Sequence, residues 1–291
     1  MTPRSMLTGR VRDSGGGLAL YGLTLVLELP AVWVRAYLAY AVVWFWSQTQ
    51  DMSAAYRWPV AALFAFAPLA WSASALVWPA ASGIWWRQRI GGRAPSTAER
   101  EALDAAVADL GVAPPARWFV VDDLTPRAAV CGDALMLTRK MIDDPALPAV
   151  LAHELGHLAT LDAPLTAALD NLVLWTPRAR PGRRRGAIRA LCAAIVWLGR
   201  GGVGLRLTAA AWGAWWRERE YRADAYASAL GKGEELAAYL EQEAVLDDRP
   251  VPFMWASGHS HPPAAHRVER LRRPEGVPVR DGSGSTQRPR R

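Results

Sequence analysis

The residues in this sequence best suited to chemistry are His153-Glu154-Leu155-Gly156-His157. On a helix, side chains four apart share a face, offset by about 40° and by about 6 Å along the axis. Two imidazoles so placed can ligate one tetrahedral zinc. Glu154 sits about a third of a turn round, within reach of a zinc-bound water whose pKa the metal lowers towards about 7. Its carboxylate can take that water's proton. The flanks Ala149-Val150-Leu151-Ala152 and Leu155 are apolar, as a buried active-site helix needs, and the pair uses two of only five histidines in the chain. A catalytic zinc has three protein ligands and one open position. Glu220 and Asp224, four apart in the run Glu218-Arg219-Glu220-Tyr221-Arg222-Ala223-Asp224, offer carboxylates from a later helix. One can bind the metal while the other orients a ligating histidine; a solvated face with ordinary Glu–Arg pairs would show the same run. With only Cys131 and Cys192 present, a disulfide framework is not expected, and zinc would be held by histidine and carboxylate.

Positioning these groups needs a core, and 291 residues with 51% hydrophobic content supply one. Thr97–Leu110 reads as an amphipathic helix with Leu103, Val107 and Leu110 on one face, stopped by Gly111. Trp118–Val121 and Ala134–Thr138 read as short strands, and Pro145–Thr160 as the helix carrying the two histidines. Beyond it, Leu161–Trp175, Ala187–Leu198 and Val203–Trp216 are short apolar blocks around an Arg-rich loop. Arg217–Leu230 and Glu234–Leu246 read as further helices. The tail beyond Pro274 is rich in Pro, Gly, Ser and Arg, a composition of disordered chain.

Near-zero mean hydropathy conceals strong segregation. The block Leu18–Trp46 is long enough to span a bilayer, although Glu28 and Arg35 are expensive there and Pro30 marks an expected break. Pro59–Trp86 has no charged residue and is the firmer span, with Trp58, Trp78, Trp85 and Trp86 near its ends. The chain is basic, with a net charge of +7. Its arginines flank the apolar blocks (Arg87, Arg89 and Arg93; Arg183, Arg184 and Arg185), which is the pattern of membrane topology rather than of nucleic-acid binding. Arg4, Arg10 and Arg12 precede the first block and Arg87, Arg89 and Arg93 follow the second, so both ends of the hairpin are expected on the cytoplasmic side.

Three ordered motifs carry a family resemblance: HELGH, then REYRADAYA some sixty residues on, then His261-Pro262-Pro263-Ala264-Ala265-His266-Arg267-Val268-Glu269-Arg270-Leu271. Together with the preceding hairpin, they resemble the M48 family of membrane metallopeptidases, which includes the HtpX heat-shock proteases, the Ste24-type prenyl endopeptidases and the mitochondrial Oma protease. The resemblance covers roughly residues 59–272.

It implies that His153, His157 and Glu220 hold one zinc per chain, that Glu154 is general base and acid, and that Asp224 supports a ligating histidine from behind. His261 and Arg267 match the downstream motif and would position substrate or stabilise the oxyanion. Cys131-Gly132-Asp133-Ala134-Leu135-Met136-Leu137 resembles an edge strand, so protein or peptide substrates are expected along Asp133–Thr138 by strand addition.

The expectation is a mainly α protein with a small β-sheet, a zincin-like metallopeptidase anchored by an N-terminal transmembrane hairpin. Its parts would be a disordered N-terminus (residues 1–17), the hairpin (18–86), the peptidase domain (95–272) with a membrane-associated helical insert (161–216), and a disordered tail (273–291). The expected function is that of a multi-pass endopeptidase of the cytoplasmic membrane. Its active site would face the cytoplasm, in an HtpX-like quality-control role, with the lipid bilayer and no nucleic acid as partner. A non-enzymatic scaffold would instead close its zinc with four protein ligands.

Overall fold

The computed structural model describes residues 3–49, 56–160, 162–174, 204, 207–244 and 262–273. Its helices are α1 (Pro3–Thr49), α2 (Arg57–Val77), α3 (Pro79–Ile90), α4 (Thr97–Asp109), α5 (Arg139–Ile142), α6 (Leu147–Leu158), α7 (Asp162–Leu174), α8 (Ala209–Ala229), α9 (Gly233–Ala244) and α10 (Ala264–Arg272). Three short strands, β1 (Arg117–Val121), β2 (Ala128–Cys131) and β3 (Ala134–Thr138), form one sheet. The protein is therefore mainly helical with a small mixed sheet, as expected.

The apolar blocks differ in detail from their sequence reading. α1 runs unbroken through Pro30 and includes residues 3–17, where disorder was expected. A proline inside an apolar helix removes only one backbone hydrogen bond, and once a long helix is packed, each further residue adds a bond at little cost. The second block divides at Trp78, whose non-helical backbone precedes Pro79; proline disfavours helical geometry in the residue before it and cannot donate back into the preceding turn. Of all the described helices, α1 from Gly16 to Gln48 and α2 are long and apolar enough to cross a membrane. Glu28, the charge that looked expensive, is fully buried and accepts the Gly204 amide N–H at 2.9 Å.

Two cores result. One packs α1, α2, α7 and α8 through Tyr21, Ala75, Leu165, Leu169, Trp212 and Trp216. Hydrogen bonds pin this bundle: the Tyr21 hydroxyl meets Ser72 at 2.7 Å, and the Trp212 indole donates to Thr24 at 2.9 Å. The other core packs the sheet against α4, α6, α8, α9 and α10 through residues such as Leu103, Val120, Leu135, Leu151, Leu236 and Val268. α8 belongs to both, and one continuous helix replaces the two separate segments read from sequence on either side of Trp216. The apolar block Ala187–Leu198 and the tail beyond Pro274 lie outside the described residues.

The sheet order is β1-β3-β2, with β1 parallel and β2 antiparallel to β3. This corrects one expectation. Ala134–Thr138 is paired on both sides and is not an edge strand, because the residues 128–131, unrecognised as a strand in the sequence, occupy its free side. Arg93 bridges Val120 on the outer side of β1, with hydrogen bonds of 2.8 and 2.9 Å, so among the described residues the open edge belongs to β2. Gly132, at φ +62°, makes the turn from β2 to β3; a Cβ there would lie 2.2 Å from the Pro79 carbonyl oxygen, so the start of α3 sits directly on this turn.

Candidate active site

α6 forms because Leu147-Pro148 begins it, proline suiting the first turn, and because almost every side chain from Leu147 to His157 except Pro148 and Glu154 is buried. The helix is thus central, with apolar packing on several sides and the two histidines on the face turned to α8. The approach to α8 depends on Gly156: a Cβ there would meet the Ala223 Cα at 3.0 Å and the Tyr226 Cβ at 3.1 Å. With only hydrogen at that position, the α8 backbone comes close enough to bring Glu220 to the histidines.

The His153 and His157 rings are edge to face, with centroids 4.9 Å apart. Their Nε2 atoms converge on one carboxylate: His153 Nε2 lies 3.5 Å from Glu220 Oε2, and His157 Nε2 lies 3.4 Å from Glu220 Oε1. One donor atom from each of the three buried residues falls within a 4.8 Å span. Glu154, half-buried, is the member of the motif with access to solvent.

The opposite nitrogen of each ring faces an aspartate. Asp224 Oδ1 is 3.0 Å from His153 Nδ1, and Asp162 Oδ2 is 3.7 Å from His157 Nδ1. Each aspartate is in turn paired with a buried arginine. Arg267, presented by α10, donates through Nε and Nη2 to Asp224 at 2.9 and 2.6 Å and lies 3.2 Å from Glu220. Arg219 on α8 holds Asp162 at 2.9 Å. All four of these side chains are buried.

Electrostatics follow from this arrangement. Burial alone would hold the His157 imidazole down, but Asp162, Glu220 and the charge of Glu154 push it up to about 10. Burial alone would raise Asp224, yet His153 and Arg267 hold it below the usual carboxylate range. Counting the ionised forms, Glu154, Glu220, Asp162 and Asp224 carry four negative charges against two positive ones on Arg219 and Arg267, with the imidazoles neutral. The deficit is that of one dication, and the proton drawn to His157 is its partial substitute. Two imidazole nitrogens and one carboxylate are a donor set that suits zinc. The residues fit a divalent ion.

Of the residues singled out in the sequence, the structure brings together His153, Glu154, His157, Glu220, Asp224 and Arg267; His261 lies outside the described residues. Two were missed. Asp162 lies in the block read simply as apolar, Leu161–Trp175, and Arg219 in a charged run. The available signal was the cost of the charge: an aspartate opening an apolar helix five residues after His157 requires a partner.

A buried His-Glu-x-x-His helix closed by a glutamate from a second helix defines a metallopeptidase type of centre. The model of peptidase family M48 matches residues 126–275, more than half of the chain and the whole of this constellation, and the chain belongs to that family of metallopeptidases. No curated protein matches the sequence. Among solved structures, the crystal structure of S. mikatae Ste24p superposes at a TM-score of 0.44 with 18% identity, covering 93% of this chain and 66% of that one, so the present chain spans just under two thirds of its length.

Proposed function

We propose that this protein is a membrane-bound, zinc-dependent endopeptidase. The observation that carries the reading is the convergence of both histidine Nε2 atoms on the two oxygens of Glu220, beside the accessible Glu154. His153, His157 and Glu220 would hold the ion. Zinc, when bound there, supplies Lewis acidity towards a peptide carbonyl and towards water. Glu154 takes the proton of the attacking water and returns it to the leaving amine. Asp224 fixes the His153 ring through Nδ1. Arg267, which the sequence reading gave the role of positioning substrate or stabilising the oxyanion, is engaged by Asp224 and Glu220 and acts here as a positioning residue for them.

Substrate backbone would add to β2. The Thr138 amide donates to the Arg127 carbonyl at 2.9 Å, which sets the antiparallel phase. Ala128 and Val130 therefore turn their N–H and C=O groups to the open side, and β2 packs against α6. The side chains along this edge, Ala128, Ala129 and Val130, are small and half-buried, which suits an extended chain bound mainly through its backbone.

Membrane attachment is supported by the outward faces of α1 and α2, where Trp33, Tyr37, Val42, Phe45, Leu63 and Phe64 are exposed; such a belt suits lipid better than water. The arginine distribution favours a multi-pass protein with its active site on the cytoplasmic side, and with it an HtpX-like role on membrane or membrane-proximal proteins.

The test is hydrolysis of casein, and of the chain itself, by detergent-purified full-length protein with zinc quantified. Wild type should cleave at one zinc per chain. Glu154→Gln should keep the zinc and lose cleavage by at least a hundredfold. Undiminished cleavage by Glu154→Gln would overturn the mechanism.

A further inference from the structure

We infer that Asp162, braced by Arg219, orients His157 for the metal, as a second positioning pair that mirrors Asp224 and Arg267 on His153. The inference rests on the metal-binding reading above.

The two halves of the site correspond group by group. His153 and His157 each direct Nε2 to Glu220 and Nδ1 to an aspartate. Both aspartates are buried, at 3% and 4% exposure, and both are held by buried arginines, at 7% for Arg267 and 2% for Arg219. Asp162 divides its two oxygens between two partners. Oδ1 lies in ion-pair contact with the Arg219 Nε at 2.9 Å, and Oδ2 is turned to His157 Nδ1 at 3.7 Å. A closure of about 0.8 Å would make that contact a hydrogen bond of ordinary length. A carboxylate in this position fixes which ring nitrogen carries the proton and leaves the other free as a ligand, and raises the basicity of the ligating nitrogen.

A purely structural role does not explain the pair. Buried ion pairs are commonly replaced by apolar residues without loss of stability, so α7 and α8 would be joined at least as well by a leucine contact. What the ion pair adds is a charged oxygen at a defined place behind His157. Arg219 is itself held in place by the Trp215 ring, 4.9 Å from its guanidinium carbon, on the same helix that carries Glu220. The brace for one ligand and another ligand therefore move as one body.

The experiment is zinc affinity of the detergent-purified full chain, measured by competition with a chromogenic chelator, for wild type, Asp162→Asn and Arg219→Gln, alongside thermal unfolding of each metal-free protein. Asp162→Asn keeps volume and a hydrogen-bonding oxygen while removing the charge. It is expected to weaken zinc about 10–100-fold. Arg219→Gln, which leaves Asp162 in place but unbraced, should weaken zinc by a smaller factor, about 3–10-fold, through the same contact. Metal-free unfolding temperatures should fall in both variants, because each leaves one member of a buried ion pair without its partner, so zinc affinity is read on the protein that folds. Zinc affinity within twofold of wild type in either folded variant overturns the inference while leaving the peptidase reading intact. If Asp162→Asn does not fold, Arg219→Gln decides alone. A wild-type protein that takes up no zinc overturns both.

Discussion

Replacing Arg267 by methionine separates bracing from catalysis. The guanidinium is 7% exposed, donates twice to Asp224 and lies 3.2 Å from Glu220, so methionine leaves two buried carboxylates without their shared cation. Removing one partner of a buried pair costs about 3–5 kcal/mol. At about 2–4 °C per kcal/mol, the metal-free protein should unfold roughly 6–20 °C lower. Arg267→Lys keeps the charge but lacks the two-pronged donor that fits Asp224, and should lose less. The assay is thermal unfolding of the metal-free chain in detergent, followed by kcat and KM of whatever folded, zinc-loaded protein is recovered. If Arg267 instead donated to an oxyanion, its loss would lower kcat by about 10²–10³-fold with the fold intact. An unfolding temperature within 2 °C of wild type, together with such a fall in kcat, would refute the bracing argument and return Arg267 to the oxyanion, one of the two roles its motif implied.

Two further outcomes follow from the close approach of α6 to α8 and from the clamp on α4. Gly156→Val places methyl groups where the Ala223 Cα already stands 3.0 Å from a Cβ, so the helices must part. The overpacking should cost about 1–3 kcal/mol, and the displaced Glu220 should drop zinc, measured by atomic absorption, well below one per chain. Arg93 grips Glu99 at 2.6 and 2.7 Å and Asp122 at 2.9 Å, and holds the Glu99 carboxyl well below its ordinary 4.5, at about 2. Because the folded value is depressed, the stabilisation is present above pH 4.5 and is lost as pH falls towards 2. With Arg93 35% exposed, solvent keeps the effect small. Arg93→Gln should cost under about 1 kcal/mol at neutral pH by denaturant titration, and the difference from wild type should shrink across that acid window.

Strong periodicity and strong punctuation were legible in the sequence. Ala134–Thr138 is a short apolar run that follows Gly132-Asp133, and the strand has those limits. The amphipathic run Thr97–Leu110 reads as a helix, and α4 begins there, closed at its start in the structure by a Ser96–Glu99 capping box. The two histidines and Glu220 were legible because residue type and helical spacing restrict what they can do. β2 was not: Ala128-Ala129-Val130-Cys131 has four small, half-buried residues and no alternation, and its strand character comes from pairing with β3. Missing it also misplaced the sheet's open edge. The division at Trp78 was signalled by Pro79 but hidden by the uniform apolarity of the block. Asp162 was the most instructive failure. In a linear reading it lowers the quality of an apolar segment, and its value appears only when α8 brings Arg219 to it and α6 brings His157.

The same point explains why so many charges are buried at this site. Glu220, Asp162, Asp224, Arg219 and Arg267 are each under 8% exposed, and each alone would be costly. Arg219 cancels Asp162 and Arg267 cancels Asp224, which leaves Glu220 and the half-buried Glu154 as the uncompensated charges. A site built only for stability would have closed that deficit with another arginine or lysine. Here the remaining balance is met only in part in the metal-free protein, by a proton drawn onto His157, the least specific cation available. An ion with two positive charges meets it fully, at the point where two imidazole nitrogens and the Glu220 carboxylate already converge.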